Sequence, residues 1–324
     1  MLRIRSALCC TLAATAALVA ASPLSAQLYP SKPVKIVVAF APGGGNDLIA
    51  RLVAQRLSTA LGQQFIVENK PGAGGSIGFE AGVRSQPDGY TLTLISPSYT
   101  TNPNLYKLSF DPVADITPIV QISQEPLIIV VNPSLPAKNI QELIALTKAK
   151  PGSINFASSG SGSVLHLAGE LFAIKAGIKL THVPYKGNGP ALTDTLAGQT
   201  NLMLGTNSDV MPYVKAGRLR ALAVTTTQRL PVELDIPTVA EAGVPGYEVT
   251  VWFGLIGPKG LPGPVVDRIH GEVMAWLKLR ETGERLRAQG SSPAGGTPEQ
   301  FLATIKRDIV LWREIVREAG LQPE

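Results

Sequence analysis

The segment that most restricts what this chain can fold into is residues 32–52, KPVKIVVAFAPGGGNDLIARL. An apolar run rich in β-branched residues, Val34, Ile36, Val37, Val38 and Phe40, stops at Pro42 and gives way to three glycines. Leu48, Leu52, Val53, Leu57 and Leu61 then recur at helical spacing, so the segment reads as strand, glycine loop and helix. Asn46 or Asp47 is the expected N-cap. Gly43, Gly44 and Gly45 lack Cβ, so this backbone can take positive φ and leave N–H groups open at the positive end of a helix. Such an end favours an anion. The loop contains no Lys or Arg, so backbone dipoles would have to hold it.

Beyond residue 62 the same alternation of strand and helix continues, the pattern of α/β layers with a largely parallel sheet. Residues 65–67 form a second strand before another glycine-rich loop, NKPGAGGSIG at 69–78, and residues 91–95 form a third strand leading to a polar loop at 96–100. Loops at the carboxyl ends of such strands are where α/β proteins place ligands. Around 116–132 the strands lengthen and lose their intervening helix, as expected where a chain crosses between domains. A helix over 138–148 follows. A second series then starts at 154–157, with its own polar turn, Ser158 to Ser163, and an amphipathic helix carrying Leu165, Ala168, Leu171 and Phe172 inward. Residues 181–184, 202–204 and 219–225 are further strands, with a helix over 191–198. Pro237-Thr238 opens a short helix ended by Gly243, and 247–256 reads as a strand returning to the first domain. A final amphipathic helix carries Leu302, Ile305, Ile309, Trp312 and Val316.

With 324 residues, 45% hydrophobic and 16% charged, the chain has ample core for two domains. Residues 1–26 have a basic start, an apolar run and a small-residue end at Ser25-Ala26, the form of a secretory signal peptide. Its removal leaves 27 basic against 24 acidic residues, too even a balance to argue for nucleic acid. It also removes both cysteines, Cys9 and Cys10, leaving a large secreted domain without disulfides.

Nucleotide and catalytic patterns are not met. Leu48 and Ile77 stand where GxGxxG needs glycine, and no Gly-Lys dipeptide exists for a phosphate loop. None of Ser158, Ser159, Ser161 or Ser163 sits in GxSxG. His166, His182 and His270 have no ligand spacing, and His166 is expected to pack against its own turn. No metal or cofactor is expected.

Nine segments, in order, resemble the extracytoplasmic receptors of the tripartite tricarboxylate transporter system, the Bug or TctC family. They are VVAFAPGGGNDLIAR, VENKPGAGGSIG, DPVADITPI, NPSLPAKNIQELI, ASSGSGSVLHLAGELF, THVPYKGNGPALTDTLAGQ, AGRLRALAV, IPTVAEAGVPGYE and WFGLIGPKG. The resemblance implies an α/β two-domain periplasmic binding protein of Venus-flytrap, type II-like form, with two crossover strands as its hinge. Domain 1 would comprise 27–123 and 251–324, and domain 2 would comprise 124–250. It also implies a monomeric, non-enzymatic receptor that closes on a small carboxylate and hands it to membrane permease subunits. In the family the loop at 42–47 holds one carboxylate and the turn at 158–163 answers from the other domain. Asn46 departs from the commoner Thr or Ser, and Leu204 to Asn207 replace a commoner Phe followed by Asp or Ser.

The expected binding residues follow from both lines of reasoning. Phe40, Gly43, Gly44, Gly45, Asn46 and Asp47 form the first cradle, and Ser159, Gly160, Ser161, Gly162 and Ser163 the opposing one. Ser96, Ser98, Asn207 and Asp209 face the distal end of the ligand, and Tyr185 and Gly187 line the domain-2 wall. Asp209 would repel a carboxylate unless an amine or hydroxyl intervened. The rival readings are an α/β hydrolase or isomerase, which needs an activated nucleophile or acid–base pair, and a ligand-sensing subunit for a signalling partner.

Overall fold

Val34, Ile36, Val37 and Val38 form strand β1 (Val34–Val38), the centre of a parallel trio with β2 (Phe65–Asn69) and β3 (Thr91–Ile95). The computed structural model describes residues 29–230, 235–288, 290–318, 320 and 321. The expected signal peptide and both cysteines lie outside these residues.

Helix α1 (Gly45–Leu61) follows β1 and buries Ile49, Val53 and Leu57, whereas Leu48 points outward. The inward stripe therefore keeps Val53 and Leu57 of the expected set, with Ile49 in place of Leu48. Helix α2 (Ser76–Val83) follows the second glycine loop, and α3 (Pro97–Thr101) follows β3. A polar loop was expected at 96–100. Pro97 at the first helical position supplies the right φ and needs no N–H partner, so the segment coils instead.

Strand β4 (Ile116–Val131) runs through both halves of the molecule. Up to Pro126 it pairs antiparallel with β9 (Thr250–Pro258), which also pairs with β3. From Leu127 to Val131 it lies between β7 (Leu202–Thr206) and β8 (Arg220–Val224), and every side chain in that stretch is fully buried. Beyond β7 come β5 (Asn155–Ser158) and β6 (Thr181–Pro184), giving the order β2-β1-β3-β9-β4-β7-β5-β6. The return of the chain is marked by the Val249 N–H donating to the Thr225 carbonyl before β9 enters the first group of strands.

The second half is wrapped by α4 (Ile140–Ala149), α5 (Val164–Ala176), α6 (Asn188–Leu196) and α7 (Asn207–Lys215). Residues 237–243 make hydrogen-bonded turns about Thr238 and not the expected helix. Helices α8 (Gly263–Leu277) and α9 (Arg280–Ala288), the two-residue strand β10 (Ser292–Pro293) against β4, and α10 (Pro298–Glu318) complete the chain. Helix α10 buries Phe301, Ile305, Ile309 and Trp312. Phe301, not Leu302, leads that stripe and packs edge-on against Trp252 of β9.

Candidate functional site

The turn between β1 and α1 starts its helix one residue earlier than the sequence suggests. Gly44, in extended conformation, is the N-cap and makes no side-chain cap bond; Asn46 and Asp47 lie inside the first turn. Asp47 reaches back, accepting the Gly43 N–H at 3.1 Å, the Asn69 amide at 3.0 Å and two bonds from Arg51 at 2.9 and 3.0 Å. Burial pushes this carboxyl up, but the hydrogen bonds from Arg51, Asn69 and Gly43 outweigh it and hold the group below its ordinary value. One N–H of the expected cradle is thus satisfied from within.

A second is satisfied from across the molecule. The Gly45 N–H donates to Asp209 Oδ2 at 3.2 Å, and the Asn188 side-chain amide donates to the same oxygen. A Cβ at Gly45 would lie 3.1 Å from Thr206 Oγ1 and 3.4 Å from Glu125 Oε1, so this glycine is where α1 can approach β4 and β7. Glu125 is fully enclosed at the point where β4 exchanges β9 for β7, and it accepts bonds from the Ser208 N–H and hydroxyl. Burial and the neighbouring Asp209 charge push its carboxyl up to about 8; burial pushes Asp209 up to about 6, against the Thr206, Asn188 and Gly45 donors.

The opposing turn is braced by its own side chains. Ser163 is the N-cap of α5, accepting the His166 N–H at 3.3 Å. The Gly160 N–H donates to Ser158 Oγ at 3.1 Å and the Gly162 N–H to His166 Nδ1 at 3.1 Å. His166 therefore packs on its turn, stacked on His182 with ring centres 3.9 Å apart. Burial lowers these imidazoles to about 4 and about 3, so both are neutral near pH 7. His182 also lies 2.6 Å from Ser158 Oγ. That serine lines neither of the cavities next to the two turns.

The opposing turn is bonded by side chains that follow β3, and it shares a cavity with the first turn. Tyr106 Oη donates to the Ser161 carbonyl at 2.7 Å, Thr101 Oγ1 to the Gly162 carbonyl at 2.5 Å, and the Val164 N–H to Ser98 Oγ at 3.1 Å. The shared cavity is about 20 Å³, room for roughly one water. Of the expected residues, Gly45, Asn46, Ser96, Ser98, Ser159 and Asp209 line it. Ser159 also lines an adjoining cavity of about 290 Å³, with Gly160, Ser161 and Tyr185. Phe40, Gly43, Gly44, Asp47, Gly162, Ser163, Gly187 and Asn207 line neither. Phe40 packs edge-on against Phe79, and a Cβ at Gly187 would sit 2.8 Å from the Ala41 nitrogen. A larger groove of about 790 Å³ runs beside α10, past Trp312 and Arg307, and contains none of the expected residues.

Asn188 and Glu125 were not foreseen. Asn188 sits in the glycine-flanked stretch KGNGP, and Glu125 is the one acid in the apolar run of β4; both signals are visible in retrospect.

The tripartite tricarboxylate transporter family receptor (TctC) model matches residues 49–321. The chain belongs to this receptor family. The receptor is 36% identical to BugT of Bordetella pertussis over 303 residues, 93% of each chain. Among solved structures it resembles Rpa4515 of R. palustris with adipate (35% identity, TM-score 0.89, covering 91% of this chain and 100% of the other). It also resembles MatC of Rhodopseudomonas palustris with bound malate (29% identity, TM-score 0.82, 89% and 100% covered). The receptor is accordingly a solute-binding protein of the periplasmic binding fold and not an enzyme. No helix among the described residues is long and apolar enough to cross a membrane.

Proposed function

We propose that this receptor captures a small carboxylate in the periplasm, in the gap between two lobes, and delivers it to the permease subunits of a tripartite tricarboxylate-type transporter. The lobes are residues 27–123 with 251–324, and 124–250, joined where β4 and β9 cross. The receptor acts as a monomer. The observation that carries this reading is the meeting of two glycine-rich strand-to-helix turns around one small polar cavity. On the first turn, Asn46 offers a backbone N–H at a helix start. Ser96, buried and with its hydroxyl unpartnered, and Ser159 offer further donors. The neighbours with adipate and malate carry their ligands on the same architecture.

The energetics suffice without a cationic side chain. Micromolar binding needs about 8 kcal/mol, and hydrogen bonds to an ionised group contribute roughly 1.5–3 kcal/mol each. Donors divided between two lobes also couple binding to closure, because only the closed form satisfies both sets.

A thermal-shift screen of mono- and dicarboxylates, with neutral sugars as controls, tests the binding step. A ligand at a hundredfold excess over its dissociation constant adds about 2.7 kcal/mol. Shifts from sugars and none from any acid would overturn the reading. Delivery is tested by uptake of the labelled ligand in cells with and without the receptor.

A further inference from the structure

We propose that Asp209, backed by Glu125, seats an ammonium group, so that the carboxylate captured by this receptor also carries an amine. The proposal rests on the carboxylate reading above and narrows its ligand class. Four observations lead to it.

Asp209 and Glu125 are 4% and 1% exposed, and neither has a Lys or Arg partner among the described residues. A buried acid without a countercharge is costly, so such a group calls for a partner that arrives from outside. The second observation concerns which atoms are left over. Asp209 Oδ1 and Asn188 Oδ1 are buried without a hydrogen-bond donor, and both residues line the small cavity. The Gly45 N–H and the Asn188 amide, which could have served a carboxylate, are already given to Asp209 Oδ2. This end of the cavity is therefore rich in acceptors.

Charge supplies the third. Near pH 7 burial keeps Glu125 protonated while Asp209 is ionised, so the pair carries one net negative charge, which one ammonium neutralises. The fourth is the match in number. An ammonium has three donors and no acceptor, whereas a hydroxyl brings one donor and no charge. The lining also holds the Ser96 hydroxyl, buried without a partner, and Asn46 at the start of α1, donors that suit the carboxylate end.

The test is calorimetric titration with matched pairs, L-glutamate against glutarate and L-aspartate against succinate, on the full mature chain and its Asp209→Asn and Glu125→Gln variants. In the wild type at least one amino acid is expected to bind tenfold or more tightly than its partner lacking the amine. Asp209→Asn should abolish that preference, bringing the two affinities within a pair to within about threefold of each other. Thermal melts without ligand confirm that each variant folds, and Glu125→Gln, which keeps position 125 uncharged, should retain the preference for the amine; its loss there would overturn a seat centred on Asp209. Diacids binding as tightly as the amino acids would overturn the amine seat alone, as would an Asp209→Asn loss equal for both members of a pair. Absence of binding by all four compounds while another acid of the thermal-shift screen binds would overturn the amine seat alone, and binding by no acid of that screen would overturn it together with the carboxylate reading on which it rests.

Discussion

The Gly45 N–H donates to Asp209 Oδ2 across 3.2 Å, which fixes the start of α1 to the first turn of α7. A side chain at position 45 would intrude on this contact, since its Cβ would lie 3.1 Å from Thr206 Oγ1 and 3.2 Å from the Phe253 ring. Gly45→Ala is therefore expected to cost about 1–3 kcal/mol, the usual cost of overpacking. Urea unfolding measures it, and an unchanged midpoint would show that the two halves do not meet here.

Asp47 organises the other side of the same turn. Asp47→Ala leaves the Gly43 N–H and the Asn69 amide without their acceptor, an expected loss of about 1–2 kcal/mol at pH 7. Arg51 is half-exposed and adds little. Because the folded carboxyl lies below its ordinary 3.8, its stabilisation is present above that value and is lost as pH falls through the lower one. The difference between wild type and variant should therefore shrink toward pH 3, as read from denaturant melts at the two pH values.

Tyr106 and Gly74 meet the same carbonyl, that of Ser161. Tyr106 Oη donates to it at 2.7 Å, while a Cβ at Gly74 would lie 2.2 Å from it, at a φ of +58° that already disfavours side chains. In the closing receptor proposed above, substitutions at both positions act on closure more than on the core of either lobe. Gly74→Ala is expected to weaken ligand binding by at least tenfold, and Tyr106→Phe by a few-fold. Calorimetry gives the affinities, and small-angle scattering of the Gly74→Ala chain should show a larger radius of gyration with ligand than the wild type has. Equal affinity in Gly74→Ala would mean that this contact plays no part in capture.

Local periodicity made much of this fold readable in advance. Strand β3 and strand β6 occupy the expected residues because apolar runs between turn signals need no tertiary information. The cap of α1 was less readable. An Asx residue before a helical pattern usually marks the cap, yet here Gly44 takes that place and Asp47, three residues on, folds back onto Gly43. Sequence also could not show that the cradle's N–H groups are partly spent on the chain's own acids, since Asp209 lies 164 residues from Gly45. Asn188 and Glu125 escaped for the same reason: only the passage of β4 between the two halves brings Glu125 against α7.

Glu125 has a distinct signature in stability against pH. Its folded carboxyl, pushed by burial and by Asp209 to about 8, lies above the ordinary 4.5, so between these values the native chain binds a proton that the unfolded chain releases. Stability then falls as pH rises, by about 1.4 kcal/mol per unit for one full proton, and levels off above pH 8. Asp209 acts in the same direction but completes its change near pH 6. His166 and His182, depressed to about 4 and about 3, act oppositely, adding stability as pH rises to their ordinary 6.5. The histidine contribution is common to the wild type and Glu125→Gln, so the difference between the two chains from pH 6.5 to 8 reports Glu125. The wild type is expected to lose about 1–2 kcal/mol over that interval relative to Glu125→Gln, whose amide cannot ionise. Chemical denaturation of both chains at half-unit steps measures the difference, and parallel curves would place the Glu125 proton elsewhere.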